Sequence, residues 1–126
     1  MSNIVLNKSN FVPLFGVDPE IEKRGYLISR DGTVINKHGR VLKTIRKHPK
    51  YLKSGKYNQK HEYIAIIFHL SIKHYQYSIH RLVWSSWNRK FIPADHDIHH
   101  INGKKSDNDL NNLECLTKEE HKRLRK

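Results

Sequence analysis

The chain of 126 residues carries 24 Lys and Arg against 12 Asp and Glu, a formal net charge of +12 at neutral pH. That length suits one compact domain, or two small units that share a core. The positive charge attracts polyanions over long distances, so nucleic acid is the first candidate partner and an anionic membrane surface the second. No stretch approaches the roughly 18 apolar residues that cross a bilayer, which argues against a membrane-spanning protein.

The start of the chain and its single cysteine bear on location. No basic segment followed by a long apolar run opens the sequence, so we expect no signal peptide. Cys115 can form neither an internal disulfide nor a CxxC pair for structural zinc. We therefore expect a reducing cytoplasm.

The first 24 residues show little periodicity and contain Pro13, Gly16 and Pro19. Proline and glycine interrupt regular structure, so this lead-in is predicted to be loosely structured. Its apolar segment, residues 11–15, is expected to anchor it to the rest of the protein.

A hairpin is predicted next. Two β-prone runs, residues 25–29 and 33–36, flank the dipeptide Asp31-Gly32, which is typical of a tight turn between antiparallel strands. A short run at 41–43 is a candidate third strand.

Residues 37–60, here called the basic arm, contain nine Lys and Arg and no Asp or Glu. A like-charge run is most often a solvated loop. This one follows predicted strands in the more basic part of the chain and carries Tyr51 and Tyr57, so we favour phosphate contact. The cations concerned are Lys37, Arg40, Lys43, Arg46, Lys47, Lys50, Lys53, Lys56 and Lys60.

The middle of the chain is predicted to form two strands and a helix. Residues 62–69 are rich in β-branched and aromatic types, and residues 75–79 alternate as a strand that could pair with them. Helical spacing follows over about residues 79–88 and places His80 on one face with Val83. That face is most simply core, and His80 is then a structural histidine with its hydrogen bonds satisfied.

The histidines are concentrated towards the end of the chain. Residues 97–101 can form a short strand, in which His99 and His100 project to opposite faces. A polar loop follows, and residues 113–116 form a second short strand. His96 and Asp97 could tune a metal or be solvated connector residues, and we favour the latter. Asp107 and Asp109 are taken for loop-forming residues.

A helix is predicted to begin directly after the second strand. Thr117 and Glu120 have the spacing of a capping box, in which each side chain accepts a hydrogen bond from the other residue's backbone N–H. His121 then lies in the first turn of that helix.

Residues 97–121 resemble the HNH nucleases, also called the ββα-metal or His-Me finger group. They keep the order of a His-His pair, an Asn followed by Leu, and a terminal His on a helix, and the string from His99 to Glu114 is long and specific. Residues 80–84 look like the helix that precedes the finger in homing-type relatives. Residues 25–36 resemble the small DNA-binding β-module that often accompanies it.

The resemblance implies a role for each motif residue. His99 matches the first metal ligand, a position where some relatives have Asp, and His121 matches the second. His100 matches the general base, and Asn112 the structural Asn that holds the loop and so orients the base. One divalent ion is implied, Mg²⁺ or Mn²⁺ by family default, although histidine ligands also accept Zn²⁺, Ni²⁺ or Co²⁺.

The resemblance also implies the fold and the activity. We expect a mixed α+β protein with a small antiparallel β-module, a bridging helix and a C-terminal ββα-metal finger. The division would be a basic DNA-binding module with a flexible lead-in over residues 1–78, and helix plus nuclease finger over residues 79–126. The expected activity is metal-dependent hydrolysis of phosphodiester bonds in duplex DNA by a homing-type or phage-type enzyme. A monomer would cut one strand, and a dimer could cut both.

Other interpretations of the same residues stay open. The three histidines could form a structural zinc site, although closed zinc sites usually have four ligands and favour Cys. Cys115 could be a ligand, but it reads more simply as a small buried residue. The chain could be a DNA-binding protein that has kept the fold without catalysis. It could also act on or bind RNA, with tyrosines that stack on bases, namely Tyr51, Tyr57, Tyr75 and Tyr77.

Overall fold

The computed structural model describes residues 10–47 and 62–124 and shows a mixed α+β protein, as the sequence predicts. The described strands form small antiparallel sheets, and helices connect them. The first sheet has the order β1-β2-β3, with β1 at Phe11–Pro13, β2 at Leu27–Ser29 and β3 at Val34–Ile35.

The described part of the lead-in, residues 10–24, has more regular structure than predicted. Strand β1 pairs with β2 through Val12 and Ile28. A short helix, α1 at Pro19–Glu22, begins at Asp18, whose side chain accepts the backbone N–H of Glu20 at 2.9 Å. Proline is well suited to the first helical position because its missing N–H would have no partner there. Pro19, which was predicted to interrupt regular structure, is therefore the first residue of a helix.

The predicted hairpin is confirmed, because β2 and β3 are antiparallel on either side of Asp31-Gly32. The candidate third strand at 41–43 is reduced to an isolated bridge between Ile35 and Val41. Only the start of the basic arm, residues 37–47, lies in the described part of the chain. The predicted contacts Lys50, Lys53, Lys56 and Lys60 lie outside it.

The second sheet leads directly into the longest described helix. It has the order β4-β5-β6, and β5 and β6 pair from Ala65 with Ser78 to His69 with His74. Helix α2 follows β6 without a break and occupies the residues predicted for it. The bounds are β4 at Ile45–Lys47, β5 at Tyr63–His69, β6 at His74–Ser78 and α2 at Ile79–Asn88.

The C-terminal region is a strand, a loop, a strand and a helix, as predicted. Strand β7 at His96–His100 pairs with β8 at Leu113–Thr117, and α3 spans Lys118–Leu124. The capping box is present: the backbone N–H of Thr117 donates to Glu120 Oε1 at 2.9 Å, and that of Glu120 donates to Thr117 Oγ1 at 3.1 Å. The cap fixes the direction in which α3 leaves the sheet.

Helix α2 lies in the middle of the molecule and packs against strands of all three sheets. Its Val83 is fully buried in one hydrophobic cluster with residues from each sheet, among them Ile28, Ile66 and Ile98. The helix therefore carries the C-terminal sheet on the same core as the N-terminal ones. Within the described ranges, no helix has the length and apolar character needed to cross a membrane.

Candidate active site

Strand β7 presents two chemically different faces. Ile98 and His100 are buried, whereas Asp97 and His99 are half-buried on the other side. This alternation follows from the two-residue period of a β-strand, and it separates the adjacent histidines as predicted.

His99 and His121 come together although they are 22 positions apart. Their ring centroids are 5.2 Å apart and the rings are inclined at 61°. Asp97, on the same face of β7 as His99, accepts a hydrogen bond from Nδ1 of His121 at 3.1 Å. A proton on Nδ1 leaves the lone pair of Nε2 free, so the carboxylate sets the tautomer that a metal ligand needs. Asp97 is thus a partner of His121 and not the solvated connector that was predicted.

These two imidazoles are suited to hold a divalent cation. Burial, and then the nearby charge of His121, lower the pKa of His99, which keeps that ring neutral and able to donate its lone pair. No group of three or more His, Cys, Asp or Glu able to hold a metal occurs in residues 10–47 and 62–124. A cation bound here would therefore complete its coordination with water or substrate oxygens, as a reactive site requires and a closed zinc site does not.

Cys115 does not join the histidines in such a group. It packs against the hydrophobic cluster, and burial raises the pKa of its thiol, which favours the protonated form over the thiolate that binds metal. Cys115 is half-buried, so its interpretation as a small buried residue holds only in part.

His100 is held by Asn108. The two side chains are 6% and 5% exposed, and Nε2 of His100 donates to Oδ1 of Asn108 at 2.8 Å. Because the carbonyl oxygen can only accept, the proton resides on Nε2 and Nδ1 keeps a lone pair. Burial lowers the pKa of His100, so the ring is neutral around pH 7. A neutral imidazole with a fixed tautomer can act as a base.

A second histidine packs beside His100. The ring of His80, from the first turn of α2, has its centroid 4.7 Å from that of His100. Burial lowers the pKa of His80 to about 3. In the described part of the chain its buried Nδ1 finds no hydrogen-bond partner. The prediction of a structural histidine with all its hydrogen bonds satisfied is wrong in that respect.

Asn112 holds the loop between the two strands. Its Nδ2 donates to Asn102 Oδ1 at 3.0 Å and to the carbonyl of Asp107 at 2.8 Å, and its Oδ1 accepts the backbone N–H of Asn102 at 3.0 Å. The hydrogen bond that reaches His100 comes from Asn108, on the same loop. Asn112 can therefore orient the base only indirectly.

The two aspartates of this loop stabilise it, as predicted. Asp107 accepts a hydrogen bond from Nδ2 of Asn102 at 2.8 Å. Asp109 accepts the backbone N–H of Asn111 at 2.9 Å and so caps the short 3-10 turn at Leu110–Asn112.

The N-terminal hairpin supports the same loop. The carbonyl of Arg30 accepts a hydrogen bond from the backbone N–H of Leu110 at 2.8 Å. The guanidinium of Arg30 donates to Oδ1 of Asn111, also at 2.8 Å. Gly32, in the hairpin turn, lies so close that a Cβ there would be 3.5 Å from that of Asn108. The loop that carries Asn108, the partner of His100, therefore rests on the first sheet.

The three predicted catalytic and ligand histidines line one cleft of about 980 Å³. Arg81 and Lys105 line it as well and give it positive charge next to His99, His100 and His121. Among the described residues of the basic arm, none lines this cleft. Three of its cations are exposed, namely Lys37, Arg40 and Lys43, and Lys47 is half-buried. Arg46 forms a salt bridge in which its Nη1 lies 3.2 Å from Oε1 of Glu62.

Sequence reasoning preferred the wrong alternative for Asp97 and missed Asn108. The signal for Asp97 was its position two residues from His99, on the same face of the strand. Asn108 had no such signal, since its contact with His100 depends on how the intervening loop folds.

The comparison with protein families agrees with this geometry. Residues 77–123 match the family model described as HNH endonuclease, and this match spans α2, β7, β8 and most of α3. No curated protein and no solved structure gave a match to the chain.

Proposed function

We propose that this protein is a metal-dependent DNA endonuclease of the HNH type, which hydrolyses phosphodiester bonds in duplex DNA. One observation carries the proposal: a neutral, hydrogen-bonded His100 and the His99–His121 pair line a single basic cleft. The match of residues 77–123 to the HNH endonuclease family model supports the same reaction. General base, ligand pair and positive charge are the parts that phosphodiester hydrolysis needs.

His100 is the proposed general base. Its Nδ1 lone pair would accept a proton from the water that attacks the phosphorus, while Asn108 keeps the other nitrogen protonated. Burial holds the ring neutral before the reaction, so no proton must first be removed from it. Deprotonation of water is difficult near neutral pH, and a base fixed within hydrogen-bond reach lowers that barrier.

His99 and His121 are the proposed metal ligands, and Asp97 orients His121. A divalent cation bound there supplies positive charge to the scissile phosphate and to the leaving 3′ oxygen. Arg81 and Lys105 line the same cleft and would draw the phosphate backbone into it. Asn112 keeps the loop between the strands closed, so that Asn108 stays against the base.

The substrate is proposed to be duplex DNA gripped by the basic arm. One site per chain suits a nick, and a double-strand cut would need two chains or two successive nicks. The likeness of residues 25–36 to a nuclease-associated β-module is the reason to propose a homing-type or phage-type enzyme.

Two other functions are distinguishable by assay. A DNA-binding protein without catalysis would bind duplex DNA and leave it intact. An RNA-directed protein would bind and cut structured RNA in preference to duplex DNA in direct competition. The ordered base and ligand pair favour catalysis over binding alone.

The test is the conversion of supercoiled plasmid to nicked and linear forms with Mg²⁺, Mn²⁺, Zn²⁺, Ni²⁺ or Co²⁺ added singly to metal-free protein. Cleavage should require a metal and stop on addition of EDTA, while DNA binding largely persists. His99→Ala and His121→Ala should each weaken metal binding measured by calorimetry. Plasmid that stays supercoiled with every metal, despite tight binding, would leave the non-catalytic function standing.

A further inference from the structure

The cleft continues from the catalytic histidines to an aromatic patch at the far end of α2, formed by Phe15, Arg89 and Phe91. Phe15 and Phe91 line the cleft, and their ring centroids are 4.8 Å apart with the planes inclined at 51°. The guanidinium carbon of Arg89 lies 4.9 Å from the centroid of the Phe15 ring. Phe15 is thus packed between a cation and a second ring.

Phe91 is unusually exposed for a phenylalanine, with 72% of its surface accessible to solvent. Each exposed Å² of apolar surface costs about 25 cal/mol relative to burial, so this ring gains free energy when another molecule covers it. Single exposed apolar side chains are common on soluble proteins. This one differs because it borders the cleft that holds the proposed active site.

Hydrogen bonds hold Phe15 and Arg89 in place before any ligand arrives. The guanidinium of Arg89 donates to the carbonyl of Pro13 at 2.7 Å, and the backbone N–H of Phe15 donates to the buried Oγ of Ser86 at 3.0 Å. Arg89 itself ends α2 in the left-handed conformation, with φ of 53°. Phe91 packs against the Phe15 ring that is held in this way, and a preorganised surface loses less conformational entropy on binding.

The ligand that suits both ends of the cleft is a nucleobase of the bound DNA. Arg81 and Lys105 line the cleft with one acidic residue, Asp97, and the guanidinium of Arg89 lies beside the cleft against the ring of Phe15. Phe91, His99 and His121 line the same cleft. A strand whose phosphate reaches His99 and His121 could therefore also bring its bases to Phe91.

We propose that Phe91 stacks against a base that has left the helical stack of DNA bound in the cleft. This inference rests on the proposed nuclease function and adds a substrate preference to it. Duplexes with a mismatched or bulged base near the cleavage site should bind more tightly than fully paired ones, because their base is less costly to unstack.

The test uses His100→Ala protein, which should bind DNA without cutting it, and a short duplex with 2-aminopurine placed in turn at each position. Fluorescence should rise at one position, where the base leaves its neighbours. Phe91→Ala in the same background should abolish that rise and weaken binding by about 5- to 100-fold, the range measured when a stacking aromatic is removed.

Three controls separate stacking from other effects. Phe91→Trp should keep the fluorescence rise, whereas Phe91→Leu, which is apolar but not aromatic, should not. Ile72→Ala removes another exposed apolar residue, 88% exposed and outside the cleft, and should change nothing. Thermal unfolding of each variant would show that all are folded.

The outcomes distinguish this inference from the nuclease function. An unchanged fluorescence rise in Phe91→Ala protein overturns stacking, even if wild-type protein cuts plasmid DNA. A shift from dimer to monomer in Phe91→Ala, with DNA binding unaltered, also overturns it, because the ring would then cover a second copy of the chain. If wild-type protein cuts no DNA but the rise depends on Phe91, the stacking site stands and the nuclease function fails.

Discussion

His99 and His100 are neighbours in the chain, yet the structure gives them opposite surroundings. The alternation of β7 turns His99 towards His121 and Asp97, and it turns His100 inwards against His80. One ring can therefore donate a lone pair to a cation while the other is buried and neutral. Two adjacent residues on a helix would lie about 100° apart and could not be separated so completely.

Asn108 is predicted to position the base. Replacement by Leu removes the only acceptor that His100 Nε2 contacts in the described residues, so the ring should lose its fixed tautomer. We expect kcat to fall about 10- to 100-fold with KM nearly unchanged, the size of effect seen when a supporting hydrogen bond is lost. Asn108→Asp keeps an acceptor oxygen and should recover most of the activity in single-turnover cleavage.

A matched control is Ser106→Ala, an exposed residue of the same loop. It should leave kcat unchanged. If kcat falls equally in Asn108→Leu and Asn108→Asp, then Asn108 matters for folding of the loop and not for the tautomer of His100.

His80 is predicted to make the fold sensitive to acid. Its pKa is about 3 in the folded protein, chiefly through burial and then through His100, Arg81 and Lys105, whereas the pKa of an unfolded His is about 6.5. The unfolded chain therefore binds the extra proton as pH falls below 6.5. Stability should decline through that window towards pH 3, by up to about 1.4 kcal/mol per pH unit from this residue.

The check is urea denaturation of wild-type and His80→Phe protein between pH 7 and pH 4. The variant cannot bind this proton and no longer buries an unpartnered nitrogen, so its stability should depend less steeply on pH. Parallel curves for the two proteins would mean that His80 is not held neutral by the fold.

At the scale of elements, features that depend on residues close in the sequence were predicted better than features that depend on contacts between distant residues. The capping box of Thr117 and Glu120, the Asp31-Gly32 hairpin and helix α2 all depend on residues close in sequence, and each is present where expected. The three-residue β1 was missed because a strand that short has no measurable alternation, and it is defined by pairing with β2. The Asn108 contact was missed for the same reason: it depends on a loop that distant residues support.

The turn between β2 and β3 is predicted to tolerate no side chain. Gly32 has φ of +95°, and a Cβ there would be 2.5 Å from Cγ2 of Ile79, at the start of α2. Gly32→Ala should therefore combine backbone strain with a steric clash and lower the free energy of unfolding by about 2–4 kcal/mol.

Gly39→Ala is the matched control. Gly39 also has a positive φ, +86°, but a Cβ there would meet nothing within 4 Å, so only the backbone strain of about 1 kcal/mol should remain. Chemical denaturation measures both changes. If Gly32→Ala and Gly39→Ala lower the free energy of unfolding by similar amounts, a close contact between the hairpin and α2 would be contradicted.

At the scale of the whole molecule, the N-terminal hairpin and the C-terminal finger are not mechanically independent. Arg30 hydrogen-bonds to the loop that carries Asn108, and Gly32 packs against both that loop and α2. The sequence suggested a basic DNA-binding module over residues 1–78 and a helix with a nuclease finger over residues 79–126. The contacts add that residues of the first part support the loop that carries Asn108, the partner of His100.

The basic arm is predicted to bind phosphates through its exposed cations. Joint replacement of Lys37, Arg40 and Lys43 by Gln should weaken DNA binding at low salt. It should also reduce the slope of log K against log salt by about 0.9 for each lost phosphate contact. Fluorescence anisotropy across a salt series measures this slope. Lys23→Gln, whose ammonium pairs with Glu20 at 3.5 Å, is the control, and a slope unchanged by the triple variant would refute the role of the arm.

The central claim is that His100 is the base of a hydrolytic site, and cleavage measured beside binding in His100→Ala tests it most directly. With saturating metal and protein, single-turnover cleavage of duplex DNA should fall by about 100-fold or more, since a general base contributes about 10²- to 10⁴-fold. The dissociation constant for the same DNA should change by less than about twofold, because His100 is buried and touches no predicted phosphate contact. Cleavage at the wild-type rate in a folded His100→Ala protein would contradict the account.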